Sequence, residues 1–593
     1  MSHPLTHPVH KFYIPVMGTG FTIDTPMKVA KYGISSVISL VDDTLIEQMR
    51  KRLSSLAGRD YVEIPATEED SRASRITSYL NMMDEMIEGQ MEKLRNSLFE
   101  AGSEITRYFE MLPESPLKAM YAAMQAVRDP SERARLQNQL REKIISGAID
   151  VNIMTKLDRD KMSKGQLLPP IFSDAMSALR GYANSRVKSS LILSAGLNRR
   201  LYNYLAEFAD FFPDDTGEIR KRIILKVGDF RSALVQGKLL AQKGLWVSEY
   251  RVESGLNCGG HAFGGKGTLL GPVLEEFSQK REELSEQLRG IWTKSMQGMG
   301  RAIPEAKMDF RVTVQGGIGT CEETRLLEEK YKVDGTGWGS PFLLVPEVVN
   351  IDENHLHKIQ VAREEDVHLS DASPLGVPFW CLKTSLSEES RLQRIAEGNP
   401  GSRCPKGFLV SNTEFTKEPI CTASRTYQRL KLTSLDGSEV NPQARPHLTE
   451  DVVAKACICH DLAGAATVPN EIDPAAKTAV CCGPNTVYFS KVAKLWEMVD
   501  HIYGRASLPL GAERPHMFLK ELSLHLDRLK KDLDRRREGL AEIKNMSLEE
   551  IRTNLMTGIR QYGELAGQMA ADSKNSFLAK LDSLRGDLEK LKD

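Results

Sequence analysis

The chain has 593 residues, a formal net charge of −1 and nine cysteines. This length predicts several domains, and the near-zero charge argues against nucleic acid or an anionic membrane as the main partner. No apolar run approaches the ~18 residues of a membrane span. Residues 1–8 lack the features of a signal peptide, and the cysteines are too few for a disulfide scaffold, so we expect a cytoplasmic protein.

The first 56 residues alternate between strand and helix patterns. Apolar runs predict strands, and the segments between them have a helical period. The strands are predicted at 12–17 and 34–40, and the helices at 26–32 and 42–56.

Residues 57–146 leave this alternation. Ile76, Leu80, Met83 and Ile87 recur at intervals of three and four, which is typical of an amphipathic helix. We interpret this segment as a helical insertion that roofs the site of the surrounding domain.

The alternation resumes after the insertion and completes a set of eight strands. It predicts an α/β fold, a (β/α)₈ TIM barrel formed by residues 1–56 and 147–390. The further strands are predicted near 149–154, 187–195, 222–227, 244–252, 312–315 and 333–345.

Glycine-rich turns follow the last two predicted strands. Gly316, Gly317 and Gly319 come after strand seven, and Gly339 and Ser340 come at strand eight. Backbone N–H groups in such turns, together with a helix dipole, can hold a dianionic phosphate without a lysine. In a barrel of this kind both turns lie on the C-terminal face.

A histidine stands directly after a glycine pair at the end of strand six. In the run from Glu253 to His261, Gly260 lets the backbone approach a planar ligand closely. His261 can move a proton near neutral pH. A histidine that only supports a loop is the alternative, and the two phosphate turns in register favour the catalytic interpretation.

These motifs resemble the FMN-dependent nitronate monooxygenases, formerly 2-nitropropane dioxygenases, and the related FMN-type enoyl-acyl-carrier-protein reductases. Residues 254–261 resemble the family's Gln-Gly-x-Glu-Ala-Gly-Gly-His. Residues 316–318 match its Gly-Gly-Ile, and residues 339–342 resemble its Gly-Thr-x-Phe. Asn257 stands where the family has Glu, and Cys258 where it has Ala.

The resemblance implies an FMN cofactor and assigns residues to its site. His261 would face the flavin as acid or base. The first strand, with Met17, Gly18 and Thr19, would pass under the flavin, and Asn152 would lie near the isoalloxazine. Lys226, in strand five, points into the barrel or toward the flavin, or is a solvated strand-end lysine.

Residues 391–500 form a Cys-rich region, since six of the nine cysteines lie between Cys404 and Cys482. One interpretation is a [4Fe–4S] cluster that passes electrons to the flavin, and a zinc site is the second. Buried free cysteines are the third, because the spacing matches neither a ferredoxin nor a zinc-knuckle pattern. The predicted metal ligands are Cys404, Cys421, Cys459 and Cys481.

Residues 501–593 form a predicted helical tail. Leu522, Leu526, Leu529, Leu533, Leu540 and Ile543 have an a/d-like spacing, and Ser547 opens a capping box for a second helix. We expect a helical hairpin that packs on the barrel or on another copy of the chain, which would give a homo-oligomer.

Together these patterns predict an FMN-dependent oxidoreductase that acts on a small organic substrate. Nitronate-type oxidation with dioxygen and reduction of a conjugated double bond both stay open. Reduction needs NAD(P)H or a ferredoxin-like donor. The alternative from another class is a non-redox sulfur or metal carrier, or an assembly module, built on a barrel scaffold.

Overall fold

Eight parallel strands close into a barrel in the order of the chain, so the predicted (β/α)₈ fold is confirmed. A computed structural model describes residues 8–155, 157–163, 166–437, 444–511, 514–538, 540, 548–569 and 571–591. The barrel strands are Phe12–Ile14, Ser35–Ser39, Ile149–Ile153, Ser189–Leu193, Lys221–Val227, Val247–Glu253, Arg311–Gln315 and Gly335–Gly337.

The barrel closes where strand one meets strand eight. Tyr13 is in register with Gly337 on one side and with Ser35 on the other. A Cβ at Gly337 would lie 2.8 Å from the ring of Tyr13, so this short strand needs glycine for the chains to approach. Strand one ends at Ile14 and strand eight at Gly337, so both strands are shorter than predicted.

Helices surround the barrel, as predicted. The helices and 3₁₀ turns of this ring are Gly18–Phe21, Thr25–Val29, Ala30–Tyr32, Asp43–Leu56, Pro170–Phe172, Asp174–Ala183, Arg199–Leu205, Ala209–Phe211, Phe230–Ala241, Leu270–Gly298, Cys321–Lys330, Ser340–Leu344 and Glu353–Val361. A small hairpin of Met162–Ser163 and Gln166–Leu167 follows strand three.

The insertion is helical, but it packs on the outer wall of the barrel. Its helices are Ser71–Asn96, Glu104–Met111, Pro116–Ala126 and Pro130–Glu142. Arg72 and Arg75 of the first helix pair with Asp43 at 2.7 and 2.9 Å. None of its residues lines the cavity described below, so the expectation that it roofs the site is wrong.

The Cys-rich region lies beyond a hairpin of Val367–Ser370 and Phe379–Leu382. It contains short helices joined by long loops. The elements after residue 362 and before the tail are Glu364–Asp366, Leu386–Ala396, Arg425–Asp436, Arg445–Val453, Ile458–Asp461, Gly464–Thr467, Thr486–Tyr488 and Leu495–Ile502.

The tail has three helices in place of the predicted two, Met517–Arg537, Leu548–Ala566 and Ala571–Lys590. Leu522, Leu526, Leu529 and Leu533 are buried within the chain. Ile543 and Ser547 lie outside the described residues. The tail packs on the helix after strand six, where Tyr562 Oη accepts a hydrogen bond from Gly271 N at 3.3 Å. No described helix has the length and apolar character that a membrane crossing requires.

Candidate active site at the barrel mouth

A cavity of about 440 Å³ opens at the carboxyl ends of the barrel strands. Residues far apart in the sequence line it, because parallel strands bring their carboxyl ends to one face. The predicted site residues that line it are Met17, Gly18, Thr19, Asn152, Lys226, Gly260, His261, Gly316, Gly317, Gly339 and Ser340.

The turn after strand seven accepts only glycine at two positions. Gly316 and Gly317 have φ values of +129° and +77°. A Cβ at Gly316 would lie 2.6 Å from Ser254 Cβ, and one at Gly317 would lie 2.1 Å from Asn257 Nδ2. The turn therefore packs directly against the segment that leads to His261, and backbone geometry fixes both.

Gly319 is the one predicted cofactor residue that lies outside the cavity. Its N–H donates to Glu323 Oε2 at 2.8 Å. A Cβ there would lie 2.6 Å from Arg514 Nε. The helix that follows this turn thus satisfies the Gly319 amide with its own side chain, so this amide is not available to a ligand.

His261 is held at the mouth by the hairpin of residues 367–382. Its Nε2 lies 2.7 Å from Ser373 Oγ, and the ring meets Phe379 edge-on at 5.0 Å between centroids. Trp380 N donates to Gly260 O at 2.9 Å, which joins the hairpin to the glycine pair. Ser373 is fully buried, and no motif in the sequence marks it.

One charged pair faces the cavity from strands five and six. Lys226 Nζ lies 2.8 Å from Glu253 Oε2, and the same oxygen accepts from Gln315 Nε2 at 3.0 Å. Lys226 therefore points to the barrel mouth and is already neutralised by a carboxylate.

Cys258 is a half-buried thiol beside these residues. Its Sγ lies 3.5 Å from Gln315 O, and burial raises the pKa of the thiol well above its ordinary value. The neutral form is a poor nucleophile. This favours the role of a small apolar filler over that of a sulfur carrier.

The C-terminal region contributes side chains that the sequence did not indicate. Arg514 donates to Glu323 at 2.8 Å and to Gly317 O at 2.8 Å. Glu521 accepts from Ser254 Oγ at 2.5 Å, and burial raises the pKa of this carboxyl to about 7. The C-terminal region thus forms hydrogen bonds to both segments that border the cavity, the one at Ser254 and the one at Gly317.

The lining residues fit the FMN that the resemblance implies. Two buried polar atoms of the lining, Thr19 Oγ1 and Asn485 Oδ1, have no hydrogen-bond partner in the described protein. The N–H groups of Gly317 and Gly339 likewise meet no acceptor among the described residues. Unsatisfied donors and acceptors around one cavity indicate a polar ligand.

The predicted four-cysteine metal set does not form. No group of three or more His, Cys, Asp or Glu side chains in the described part of the chain could hold a metal. Cys481 instead lies at the cavity wall, where a Cβ at Gly260 would be 3.2 Å from its Sγ. Burial raises the pKa values of Cys459 and Cys481, which opposes the thiolates that a metal requires. The described part of the chain therefore gives no support for an iron–sulfur cluster or a zinc site.

No protein-family model matches the chain, and no curated protein matches it. Among solved structures, it is similar to the enoyl reductase domain of MlnA from the macrolactin biosynthesis cluster of Bacillus amyloliquefaciens. That match has 14% identity and a TM-score of 0.30, and covers 71% of this chain and 88% of that chain.

A second similar structure is nitroalkane oxidase from Streptomyces ansochromogenes. Here the identity is 12% and the TM-score 0.29, and the match covers 78% of this chain and 96% of that chain. The closed strand order establishes the barrel by itself, and we draw nothing further from these two similarities.

Proposed function

We propose that the protein is an FMN-dependent oxidoreductase that acts on a small organic substrate, with His261 as its acid or base. The observation that carries this proposal is the convergence of two glycine turns, a histidine and unsatisfied polar atoms on one cavity. The resemblance of the same motifs to the nitronate monooxygenases supports FMN as the occupant.

Each part of the lining has a separate task. When bound, FMN exchanges a hydride or an electron. The amides of Gly317 and Gly339 would hold its phosphate, and Thr19 and Asn152 would lie beside the ring system. His261 gives or takes the proton that must accompany the redox step at the substrate. Ser373 fixes the orientation of the imidazole through Nε2.

The outer wall of the cavity favours a substrate with an apolar body. It consists of Phe263, Leu375, Val377, Phe379 and Leu462. Reduction of a conjugated double bond therefore stays a candidate beside nitronate-type oxidation, because hydride delivery and protonation on an apolar chain need no further charged group. The donor would be NAD(P)H or a ferredoxin-like protein acting directly on the flavin.

The identity of the cofactor tests the proposal. The purified protein should show flavin absorption, and heat should release a cofactor that chromatography identifies as FMN. Gly317→Ala should lower the bound FMN at least about tenfold, because the new Cβ collides with Asn257. Gly290→Ala is the control, since a Cβ there meets nothing within 4 Å. Finding FAD, or no flavin after reconstitution, would overturn the assignment and favour a non-redox scaffold.

A further inference from the structure

A short segment of the Cys-rich region, residues 481–485, lies against the barrel mouth. Cys482 O accepts a hydrogen bond from Gly260 N at 3.4 Å. A Cβ at Gly483 would lie 2.5 Å from Ser340 Oγ, so the backbone packs on the turn at strand eight with no room for a side chain. The segment thus joins two walls of the cavity, the glycine pair and the strand-eight turn.

At the end of this segment, Asn485 brings a buried amide to the cavity. The residue lines the cavity and is only 3% exposed. It stands at the N-cap position of the 3₁₀ turn Thr486–Tyr488, where an Asn side chain ordinarily accepts a hydrogen bond from the backbone of the turn. The Asn485 side chain forms no such bond, so capping does not account for it.

Hydrogen bonds fix the direction in which the Asn485 amide points. Asn257 Nδ2 donates to Met517 O at 3.0 Å, and a carbonyl oxygen accepts only from the NH₂ end of an amide. Asn257 Oδ1 therefore accepts from Asn485 Nδ2, at 2.6 Å. The remaining end of the Asn485 amide is its Oδ1, which has no hydrogen-bond partner among the described residues.

This buried acceptor indicates a donor on a ligand, because proteins rarely bury a polar atom without a partner. Asn257, which contacts Asn485, also lies against the turn after strand seven, since a Cβ at Gly317 would be 2.1 Å from its Nδ2. Asn485 is therefore one side chain away from an amide that would hold the phosphate of FMN. The part of FMN next to its phosphate is the ribityl chain, whose hydroxyl groups are hydrogen-bond donors.

We propose that Asn485 Oδ1 accepts a hydrogen bond from a hydroxyl of the ribityl chain of FMN. This inference rests on the proposed function, since it takes FMN as the occupant of the cavity. Asn257 is a positioning residue, because its side chain contacts Asn485 and Met517 and sets the direction of the acceptor. The cofactor site of the barrel is thus completed by a segment that follows the barrel in the chain.

The test compares FMN with a flavin in which a phosphopentyl chain replaces the ribityl phosphate. This analogue keeps the ring and the phosphate but lacks the hydroxyl groups. The Kd of each ligand is measured on flavin-free full-length protein by the quenching of flavin fluorescence. Asn485→Leu should raise the Kd of FMN about tenfold and change that of the analogue by less than about twofold. A structural role would not produce this change in selectivity.

Asn470→Leu is the matched control. Asn470 lies in the same region but outside the cavity, and its Nδ2 donates to Ala466 O at 2.9 Å. This variant should keep both Kd values of the parent. Thermal melting of the flavin-free variants shows whether each one folds. If Asn485→Leu does not fold, Asn485→Ala removes the same acceptor without added bulk and should change the selectivity in the same direction.

Two outcomes would overturn this inference and leave the FMN assignment intact. In the first, the Asn485 variants bind both ligands more weakly by the same factor, so the side chain only supports the fold. In the second, they bind both ligands as the parent does. A parent protein that binds no FMN would instead overturn the proposed function, and this inference with it.

Discussion

His261 and Ser373 form the contact on which the proposed chemistry depends. The hydroxyl lies 2.7 Å from Nε2, and it also accepts a hydrogen bond from Leu375 N at 3.2 Å. A hydroxyl fixed in this way limits how the imidazole can turn. The histidine at the cavity therefore has a defined orientation before any ligand arrives.

Replacing His261 by Ala should leave flavin bound and slow turnover by roughly 10²–10⁴-fold, because backbone amides hold the phosphate while the acid–base group is lost. Steady-state rates and flavin content measure the two effects separately. His357→Ala, at an exposed helix position, is the control. Activity within a few-fold of the parent would show that another group moves the proton.

Replacing Ser373 by Ala should lower kcat by about tenfold and shift the pH–rate profile, because the ring of His261 is freed but not removed. Ser373→Thr keeps the hydroxyl and should restore most of the rate. A purely structural role would change stability in both variants and leave the pH profile where it is in the parent.

At the scale of elements, the start of the tail braces the turn after strand seven. Arg514 and Glu323 are both almost fully buried, with 6% and 3% of their side chains exposed. Glu323 also accepts from Gly319 N and from Met517 N, each at 2.8 Å. One carboxylate thus joins the glycine turn to the first residue of the tail helix.

Replacing Arg514 by Met should cost about 3–5 kcal/mol of folding free energy, because the Glu323 carboxylate is left buried without its partner. Urea unfolding measures the loss. Adding Glu323→Gln to the first variant should recover part of it, since the unpaired charge disappears. A single variant as stable as the parent would show that the pair does not hold the tail.

Glu521 should make stability fall as the pH rises. Burial raises the pKa of this carboxyl from 4.5 to about 7, so below pH 4.5 it is protonated in both folded and unfolded chains. Above that value the unfolded chain ionises first, and roughly 3 kcal/mol of stability is lost as the pH passes 7.

Glu521→Gln mimics the protonated carboxyl and should remove this contribution. The difference in unfolding free energy between parent and variant, measured in urea at pH 5 and pH 7.5, isolates it from other groups. Asp150, whose pKa burial raises to about 6, is present in both proteins and cancels. A difference that does not change with pH would contradict the prediction.

The barrel strands and their glycine turns could be predicted because each is a local pattern. Apolar runs identify strands, and glycines identify the turns at Gly316 and Gly317. The side-chain contacts that hold His261 and the two turns in place could not be predicted, because they join residues far apart in sequence. Ser373 is 112 positions from His261, Arg514 is 191 from Glu323, and Glu521 is 267 from Ser254.

In the Cys-rich region, a local sequence pattern led to a prediction that the fold does not support. Clustering of six cysteines in the sequence suggested a shared metal, but proximity along the chain does not set which sulfurs meet. The fold places Cys481 at the wall of the barrel-mouth cavity, leaves Cys404 exposed and buries Cys421. The spacing of the cysteines along the sequence does not show where their side chains lie in the fold.

On the scale of the whole molecule, the barrel, the insertion and the tail share one apolar core. Ile14 of the barrel, Tyr79 of the insertion and Leu522 of the tail belong to the same buried cluster and are fully enclosed. The spaced leucines of the tail, Leu522 to Leu533, are buried within this chain. A homo-oligomer stays a prediction, and it would need a surface other than these leucines.

A continuous core predicts one cooperative unfolding transition. Far-UV circular dichroism, tryptophan fluorescence and flavin release should share a single midpoint. Phe518→Ala, in the fully buried part of the tail, should lower all three midpoints together and cost about 3–5 kcal/mol. Met556→Ala, on the exposed side of a tail helix, should leave them unchanged within about 0.5 kcal/mol. If Phe518→Ala instead melted the tail early and the barrel kept its flavin, the tail would be an independent domain, and its side chains would not form part of the site.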